Sequence, residues 1–186
     1  YLTLSNYSAV VKYISSCDDA TILSKYPVVL SEWSKDGYQS EKDLFYLRAM
    51  LHLLAKNSDK WSLVQTLQEN ILEELPELQE VASMNFLKLL LDLISFSPKE
   101  KKPPTAQKAK LIAYEKKKKA QEETYLSLVK FYAPFMLERD PKLNSLIERI
   151  GVLYFGIQQA QNPMQAMMSS LMGGGGDSGG MGLLGG

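Results

Sequence analysis

Cysteine and histidine are nearly missing from this sequence, which has one of each, Cys17 and His52, among 186 residues. A single cysteine excludes an intramolecular disulfide and a multi-cysteine zinc site, and is typical of a reducing compartment. His52 lies among apolar residues of a predicted helix, without a second histidine or a cysteine cluster to complete a catalytic or metal site. We therefore expect no cofactor, no metal, no catalytic residue and a location in the cytosol.

Net charge and long apolar runs are missing as well. Lysine plus arginine and aspartate plus glutamate number 21 each, so no overall field attracts nucleic acid or an anionic membrane. The most apolar stretch, residues 86–96, is interrupted by Lys88 and Asp92 and is well short of the roughly 20 residues that span a bilayer. The basic run 116–119 has no interleaved aromatic residues and predicts a solvated helix face. We expect no nucleic-acid partner and no direct membrane insertion.

Apolar residues recur at helical spacing, and no alternating apolar and polar run competes with them. This pattern predicts an all-α fold with a buried helix at its centre over residues 78–95, because the segment from Phe86 to Ile94 is apolar on nearly every side. Three prolines in 97–104 predict an exposed loop. Residues 105–137 form either one long helix or two. The other predicted helices are marked by apolar residues over 4–14, 44–54, 64–75 and 143–154, and a further helix is predicted from Asp19 to about Lys35.

Turn residues mark several helix ends. Gly37 lies where a left-handed C-cap is expected, and Ser40 with Asp43 three residues later predicts a capping box. Asp140 followed by proline is a strong helix start. Gly156 is a natural stop.

The C-terminal segment is rich in methionine and glycine. Flexible thioethers suit an adaptable apolar binding surface, whereas the glycines from 173 onward are too flexible to stay ordered alone. Two interpretations remain open, a tail that docks on the helices or touches a client, and a tail with no affinity. The methionines are Met164, Met167, Met168 and Met172.

Several segments resemble one known family. Leu-Ser-Glu-Trp-Ser at 30–34, Asp-Gly-Tyr-Gln-Ser-Glu at 36–41 and Arg-Ala-Met-Leu-His-Leu-Leu at 48–54 resemble a segment of Golgi-to-ER traffic protein four, a subunit of the transmembrane-domain recognition complex. Residues 139–156 resemble the last helix of that family, and Ser-Leu-Met-Gly at 170–173 resembles its C-terminal end. Residues 99–123 depart from the family pattern.

The resemblance implies a right-handed α-solenoid of antiparallel helix pairs, irregular and tetratricopeptide-like. From the residues alone an irregular helical bundle fits equally well, since no fixed-period repeat is visible. We expect residues 1–157 to be the C-terminal portion of a longer repeat domain with a Lys/Pro-rich insertion near 97–123, and residues 158–186 to be a flexible Met/Gly-rich tail.

The function implied by the resemblance is that of a non-enzymatic adaptor in the targeting of tail-anchored membrane proteins to the endoplasmic reticulum. In the family, the N-terminal half engages the targeting ATPase. The C-terminal half, which this chain mainly retains, holds a ubiquitin-like partner or a BAG-type scaffold. A terminal repeat has no neighbour to cover its apolar face, so we expect a partner helix to pack there. The candidate contact residues are Tyr125, Leu128, Phe131, Phe135, Leu146, Ile150, Leu153 and Phe155.

Two other classes remain to be weighed. A helical structural or oligomerisation module unrelated to targeting predicts that the apolar face of the last helix is wholly buried. An α-helical enzyme requires a polar pocket with perturbed titratable groups, which the sequence does not indicate.

Overall fold

The computed structural model describes residues 9–10, 13–14, 17, 19–23, 25–35, 37–56, 58–96, 103–105 and 107–157. Within these ranges all regular structure is helical, which confirms the all-α prediction. Most of the predicted first helix and the tail beyond residue 157 lie outside the described residues. The helices are α1 (Ala20–Leu23), α2 (Tyr26–Lys35), α3 (Lys42–Lys56), α4 (Trp61–Glu74), α5 (Ala82–Ser95), α6 (Lys108–Leu137) and α7 (Leu143–Ile150).

Shorter turns join these helices. Three are 3-10 turns, at Gln39–Glu41, Ser58–Lys60 and Pro76–Leu78, and a π-helical turn, Gly151–Phe155, follows α7. The segment predicted as one helix over 19–35 forms two helices, α1 and α2, and Pro27 is the second residue of α2. Proline is favourable there because the first-turn N–H groups have no intrahelical acceptor.

Helix α3 forms the centre of the packing. It contacts α2, α4, α5 and α7, and Leu47, Met50, Leu51 and Leu54 on it are fully buried. Each fully buried side chain of this size stabilises the fold by about 1.5–3 kcal/mol relative to its exposed state. The central helix is therefore α3.

The prediction that α5 lies at the centre with neighbours on every side is wrong. Helix α5 packs against α3, α4 and α6, but Leu89 is 45% exposed and both Lys88 and Asp92 are exposed. The two charged residues mark the open side of the helix. Leu89 lies next to Lys88 and Asp92 on this side of the helix and is therefore exposed as well.

Helix α6 is one continuous helix of 30 residues, about 45 Å long at 1.5 Å per residue. Its N-terminal half, up to residue 120, is largely exposed, and the buried residues Tyr125, Met136 and Leu137 all lie in the second half. Helix α6 therefore packs on the body mainly through its second half.

The predicted capping box and left-handed cap around Gly37 are both wrong. Gly37 does not have a positive φ, since Gly156 is the one described residue that does. A Cβ at Gly37 would lie 2.5 Å from the Phe45 ring, so close packing is the reason for glycine. The carboxylate of Asp43 accepts hydrogen bonds from Arg139 and Ser83 instead of capping a helix.

The end of the last helix is as predicted. Gly156 has φ 69° and its N–H donates to the carbonyl of Val152 at 3.1 Å, which is the left-handed geometry that glycine favours. The Asp140 carboxylate accepts from the N–H of Lys142 at 3.2 Å, although α7 begins three residues later than this aspartate.

The solenoid arrangement remains a prediction. Helix α3 packs on α7, although α4, α5 and α6 lie between them in the sequence, whereas each repeat of a simple solenoid contacts only its neighbours. Among the described helices, none has the length and apolar character needed to cross a membrane.

Candidate functional site: an apolar patch on the α5–α6 pair

Two arginine–carboxylate contacts fix the C-terminal helices to α3. Arg139 donates to both carboxylate oxygens of Asp43, at 2.7 and 2.8 Å, and also to the Ser40 carbonyl. Arg48 donates twice to one oxygen of Asp140, at 2.6 and 2.9 Å. Both carboxylates are buried, and paired, multiply hydrogen-bonded contacts of this kind set orientation as well as adding stability. The turn after α6 is thereby held against α3.

The electrostatics of Asp43 follow from this contact. Burial acts to raise the pKa of the carboxyl, but the hydrogen bonds from Arg139 and Ser83, together with the charge of Arg139, outweigh it, and the pKa lies below its ordinary value. The carboxylate in turn raises the pKa of Arg139. Ser83 on α5 donates to Asp43 at 2.5 Å, so the same carboxylate also joins α3 to α5.

Three predicted contact residues belong to the core. Tyr125 and Phe155 are stacked, with ring centroids 4.5 Å apart, and the Tyr125 hydroxyl donates to the Ile147 carbonyl at 2.6 Å. Ile150 is fully buried. These side chains hold α6, α7 and the π-helical turn together, and they are not available on the surface that the structure shows.

Other predicted residues are on the surface of α6. Phe131 is 66% exposed and Phe135 57% exposed, with Leu128 half-buried beside them. The Phe131 ring meets the half-buried ring of Tyr132 edge-on at 5.0 Å. Spacings of three and four residues place Leu128, Phe131 and Phe135 on one side of the helix.

A second apolar stripe lies on α5 and the residue that follows it. Leu89 is 45% exposed, Phe96 is 73% exposed and Leu93 is half-buried. The sequence predicts that this helix lies wholly in the core, so the exposed stripe was not predicted. Its spacing of four and three residues was visible, but nothing in the sequence alone distinguishes an exposed apolar stripe from a buried one.

Two contacts set the register between these stripes. The Gln121 side chain donates to the Phe96 carbonyl at 2.8 Å, and the ring of Phe86 lies 5.7 Å from that of Tyr132. The earlier residue of α5, Phe86, meets the later residue of α6, whereas Phe96 at the end of α5 meets the earlier one. The two helices are therefore antiparallel. This register places Leu89 level with Leu128.

Helical geometry puts both stripes on the same side of the pair. At about 100° per residue, Leu93 lies close in angle to the contact residue Phe86, and Leu128 lies close to Tyr132. The core residues Leu90 and Tyr125 lie on the opposite side of that contact line. The two stripes together form one surface, the hairpin patch, composed of Leu89, Leu93, Phe96, Leu128, Phe131 and Phe135.

The two remaining predicted residues lie on a different element. Leu146 is half-buried on α7 and Leu153 is 40% exposed on the π-helical turn. The neighbouring Val152 is 46% exposed. They form a smaller apolar surface at the end of the chain that the structure describes.

Polar side chains also gather away from the patch. A cleft of about 520 Å³ between α4 and α5 is lined by acidic and amide side chains around Lys88. No cluster of three His, Cys, Asp or Glu side chains suited to a metal occurs in these ranges. His52 is exposed, and partial desolvation and the charge of Arg48 lower its pKa.

The fold and the hairpin patch define an all-helical protein that presents an exposed apolar surface on an antiparallel helix pair. The family model described as Golgi to ER traffic protein 4 matches residues 1–172, and the chain belongs to this family. The Golgi to ER traffic protein 4 homolog of Oryzias latipes is 30% identical over 160 residues, which are 83% of this chain and 43% of the relative. The chain thus spans less than half the length of that relative. No solved structure matches.

Proposed function

We propose that this chain is the partner-binding part of a non-enzymatic adaptor in the targeting of tail-anchored membrane proteins to the endoplasmic reticulum. Membership of the Golgi to ER traffic protein 4 family supports the pathway. The observation that supports binding is the hairpin patch, in which three phenylalanines more than half exposed lie beside three leucines. Contiguous apolar patches of this kind typically mark interaction sites.

The proposed binding mode is helix-in-groove recognition. An amphipathic partner segment places apolar residues at helical spacing against Leu89, Leu128 and the three exposed phenylalanines. Aromatic side chains near the centre of an interface contribute most of its binding energy, which assigns the largest contribution to Phe131. The arginine contacts of Asp43 and Asp140 keep the patch pre-formed, which lowers the entropic cost of binding.

The proposed partner is the N-terminal segment of a ubiquitin-like protein of the pathway or a BAG-type scaffold. We assign binding of the targeting ATPase to the part of the family's sequence that this chain does not span. The proposed location is the cytosol.

The test is calorimetric titration of this chain with each cognate partner segment. Phe131→Asp is expected to weaken binding at least tenfold, because it places a charge in the centre of the apolar contact. Ile112→Asp is the matched control, since Ile112 lies on the same helix with the same 66% exposure but outside the patch. Equal affinity of the two variants would refute the assignment of the patch.

A second candidate function, self-association through the hairpin patch, is favoured by the same exposed area. Light scattering coupled to size-exclusion chromatography separates the two. A dimer that Phe131→Asp converts to monomer, together with no partner binding, would replace the adaptor assignment by an oligomerisation module.

A further inference from the structure

The net charge of zero conceals two oppositely charged surfaces. The first part of α6, residues 108–119, has six lysines and one glutamate, and we name this segment the basic arm. All of its side chains except Leu111 and Tyr114 are exposed. Of its lysines, Lys119 alone forms an ion pair within the described residues, with Glu123 at 3.9 Å. The lysines are Lys108, Lys110, Lys116, Lys117, Lys118 and Lys119.

One face of the basic arm combines charge with an apolar side chain. The amine of Lys118 lies 3.1 Å from the position that a Cβ on Gly156 would occupy, so this side of the arm faces the body of the protein. At about 100° per residue, Ile112 lies about 120° around the helix from Lys118, and it is 66% exposed. Lys108 and Lys116, four residues before and after Ile112, share its face. This outward face presents an apolar side chain between two amines.

The cleft between α4 and α5 has the complementary composition. Its apolar lining residues, Leu72, Met84 and Leu91, are buried or half-buried, whereas the four carboxylates that line it are exposed and accompanied by one lysine, Lys88. The ion pairs of the described residues involve none of these carboxylates. This acidic cleft therefore has an apolar floor and a negatively charged rim. The carboxylates are those of Glu69, Glu73, Glu80 and Asp92.

We propose that the basic arm of one molecule docks in the acidic cleft of a second copy. Ile112 meets the apolar floor of the cleft, while Lys108 and Lys116 pair with carboxylates on its rim. These two lysines are eight residues, or about 12 Å, apart along the helix. The part of α5 that lines the cleft, from Met84 to Asp92, has the same length. The two surfaces therefore match in charge, apolar content and length.

The geometry of α6 favours a second copy over the cleft of the same molecule. The helix is continuous through the arm, and the Gln121 side chain donates to the carbonyl of Phe96, the residue that follows α5. The arm therefore extends beyond the end of α5, whereas the cleft lies beside the body of that helix. A second copy carries one arm and one cleft, so every arm has a complementary site.

Self-association of this kind is sensitive to salt. Two molecules that exchange arms form a closed dimer, and one-way docking forms a chain. In both arrangements the paired charges lie near the surface, where dissolved ions screen their attraction. We expect association to weaken between about 0.05 and 0.5 M salt.

The test is sedimentation velocity of the full chain with charges reversed on each surface. Lys108→Glu with Lys116→Glu reverses the arm, and Glu69→Lys with Glu73→Lys reverses the cleft. Each double variant alone is expected to associate about tenfold more weakly than the wild type, because like charges then face each other. An equimolar mixture of the two variants is expected to recover association, since each arm then meets a cleft of opposite charge.

The matched control is Lys110→Glu with Lys117→Glu, which makes the same change in net charge on a different face of the arm. This variant should associate like the wild type. Recovery in the mixture together with an unchanged control supports the docking. A mixture that stays monomeric, or equal weakening by the control, overturns it. A wild type that is monomeric at low salt also overturns it and leaves the arm to an acidic partner other than this chain.

The arm docking and the adaptor function can fail independently. Ile112→Asp should weaken self-association and leave partner binding at the hairpin patch unchanged, whereas Phe131→Asp should do the reverse. Loss of self-association in Phe131→Asp would overturn the arm docking and assign the contact between copies to the hairpin patch. Circular dichroism of each variant shows whether it is folded.

Discussion

Position 37 requires glycine because the ring of Phe45 occupies the space that a side chain would need. A Cβ at position 37 would lie 2.5 and 2.7 Å from two atoms of that ring, and Phe45 is itself held edge-on against Trp33 at 5.0 Å. The Phe45 ring therefore packs against Trp33 as well as Gly37.

Gly37→Ala is expected to destabilise the protein by about 1–3 kcal/mol, the usual cost of overpacking. The cause is the contact with Phe45 and not a positive φ at Gly37, so combining Gly37→Ala with Phe45→Leu should cost less than the sum of the two single changes. Chemical denaturation of the four proteins measures this coupling. Strictly additive effects would contradict the close-packing explanation.

Asp43 makes stability depend on pH. Its pKa is lower in the folded protein than the ordinary value of 3.8, so the unfolded chain binds a proton more readily. The contribution of this carboxylate is complete above about pH 4 and is lost as the pH falls below 3.8.

Asp43→Asn should cost about 1–3 kcal/mol at neutral pH, because Arg139 loses its charged partner but remains partly exposed. The stability difference between the wild type and this variant should shrink between pH 4 and pH 2. Thermal unfolding across this range measures the difference. A difference that stays constant down to pH 2 would show that the ionised carboxylate is not what stabilises the turn.

At the scale of helices, the C-terminal elements carry large apolar residues of two kinds, some buried in the core and some exposed on the surface. Ile150 is fully buried and Phe131 is 66% exposed. Ile150→Ala is expected to cost about 2–4 kcal/mol, and Phe131→Ala less than about 0.5 kcal/mol. Urea unfolding of both variants checks this contrast, and comparable losses would mean that Phe131 is covered in solution.

Which helices form was predictable from the sequence, whereas which faces they bury was not. The spacing of Val64, Leu67 and Ile71 predicted α4, and Gly156 predicted the end of the last turn, because these signals are local. Arg139 and Asp43 are 96 positions apart, and no local pattern indicates that they pair. For the same reason the local pattern assigned Asp43 to a cap and Leu89 to the core.

At the scale of the whole molecule, α3 is the element against which the others are ordered. It carries Asp43 and Arg48, whose partners Arg139 and Asp140 lie in the turn that follows α6. The hairpin patch is therefore supported from behind by the core and fixed at one end by two ion pairs. A pre-formed apolar surface of this kind is suited to binding a helix without rearrangement of the protein.

Partner titration of three proteins, the wild type, Phe131→Asp and Ile112→Asp, tests most directly whether the hairpin patch binds the pathway partner. Circular dichroism should first show that all three are equally folded. We predict that Phe131→Asp weakens binding of the ubiquitin-like or BAG-type segment at least tenfold and that Ile112→Asp leaves it unchanged. Full binding by folded Phe131→Asp would contradict the assignment of this surface to the partner.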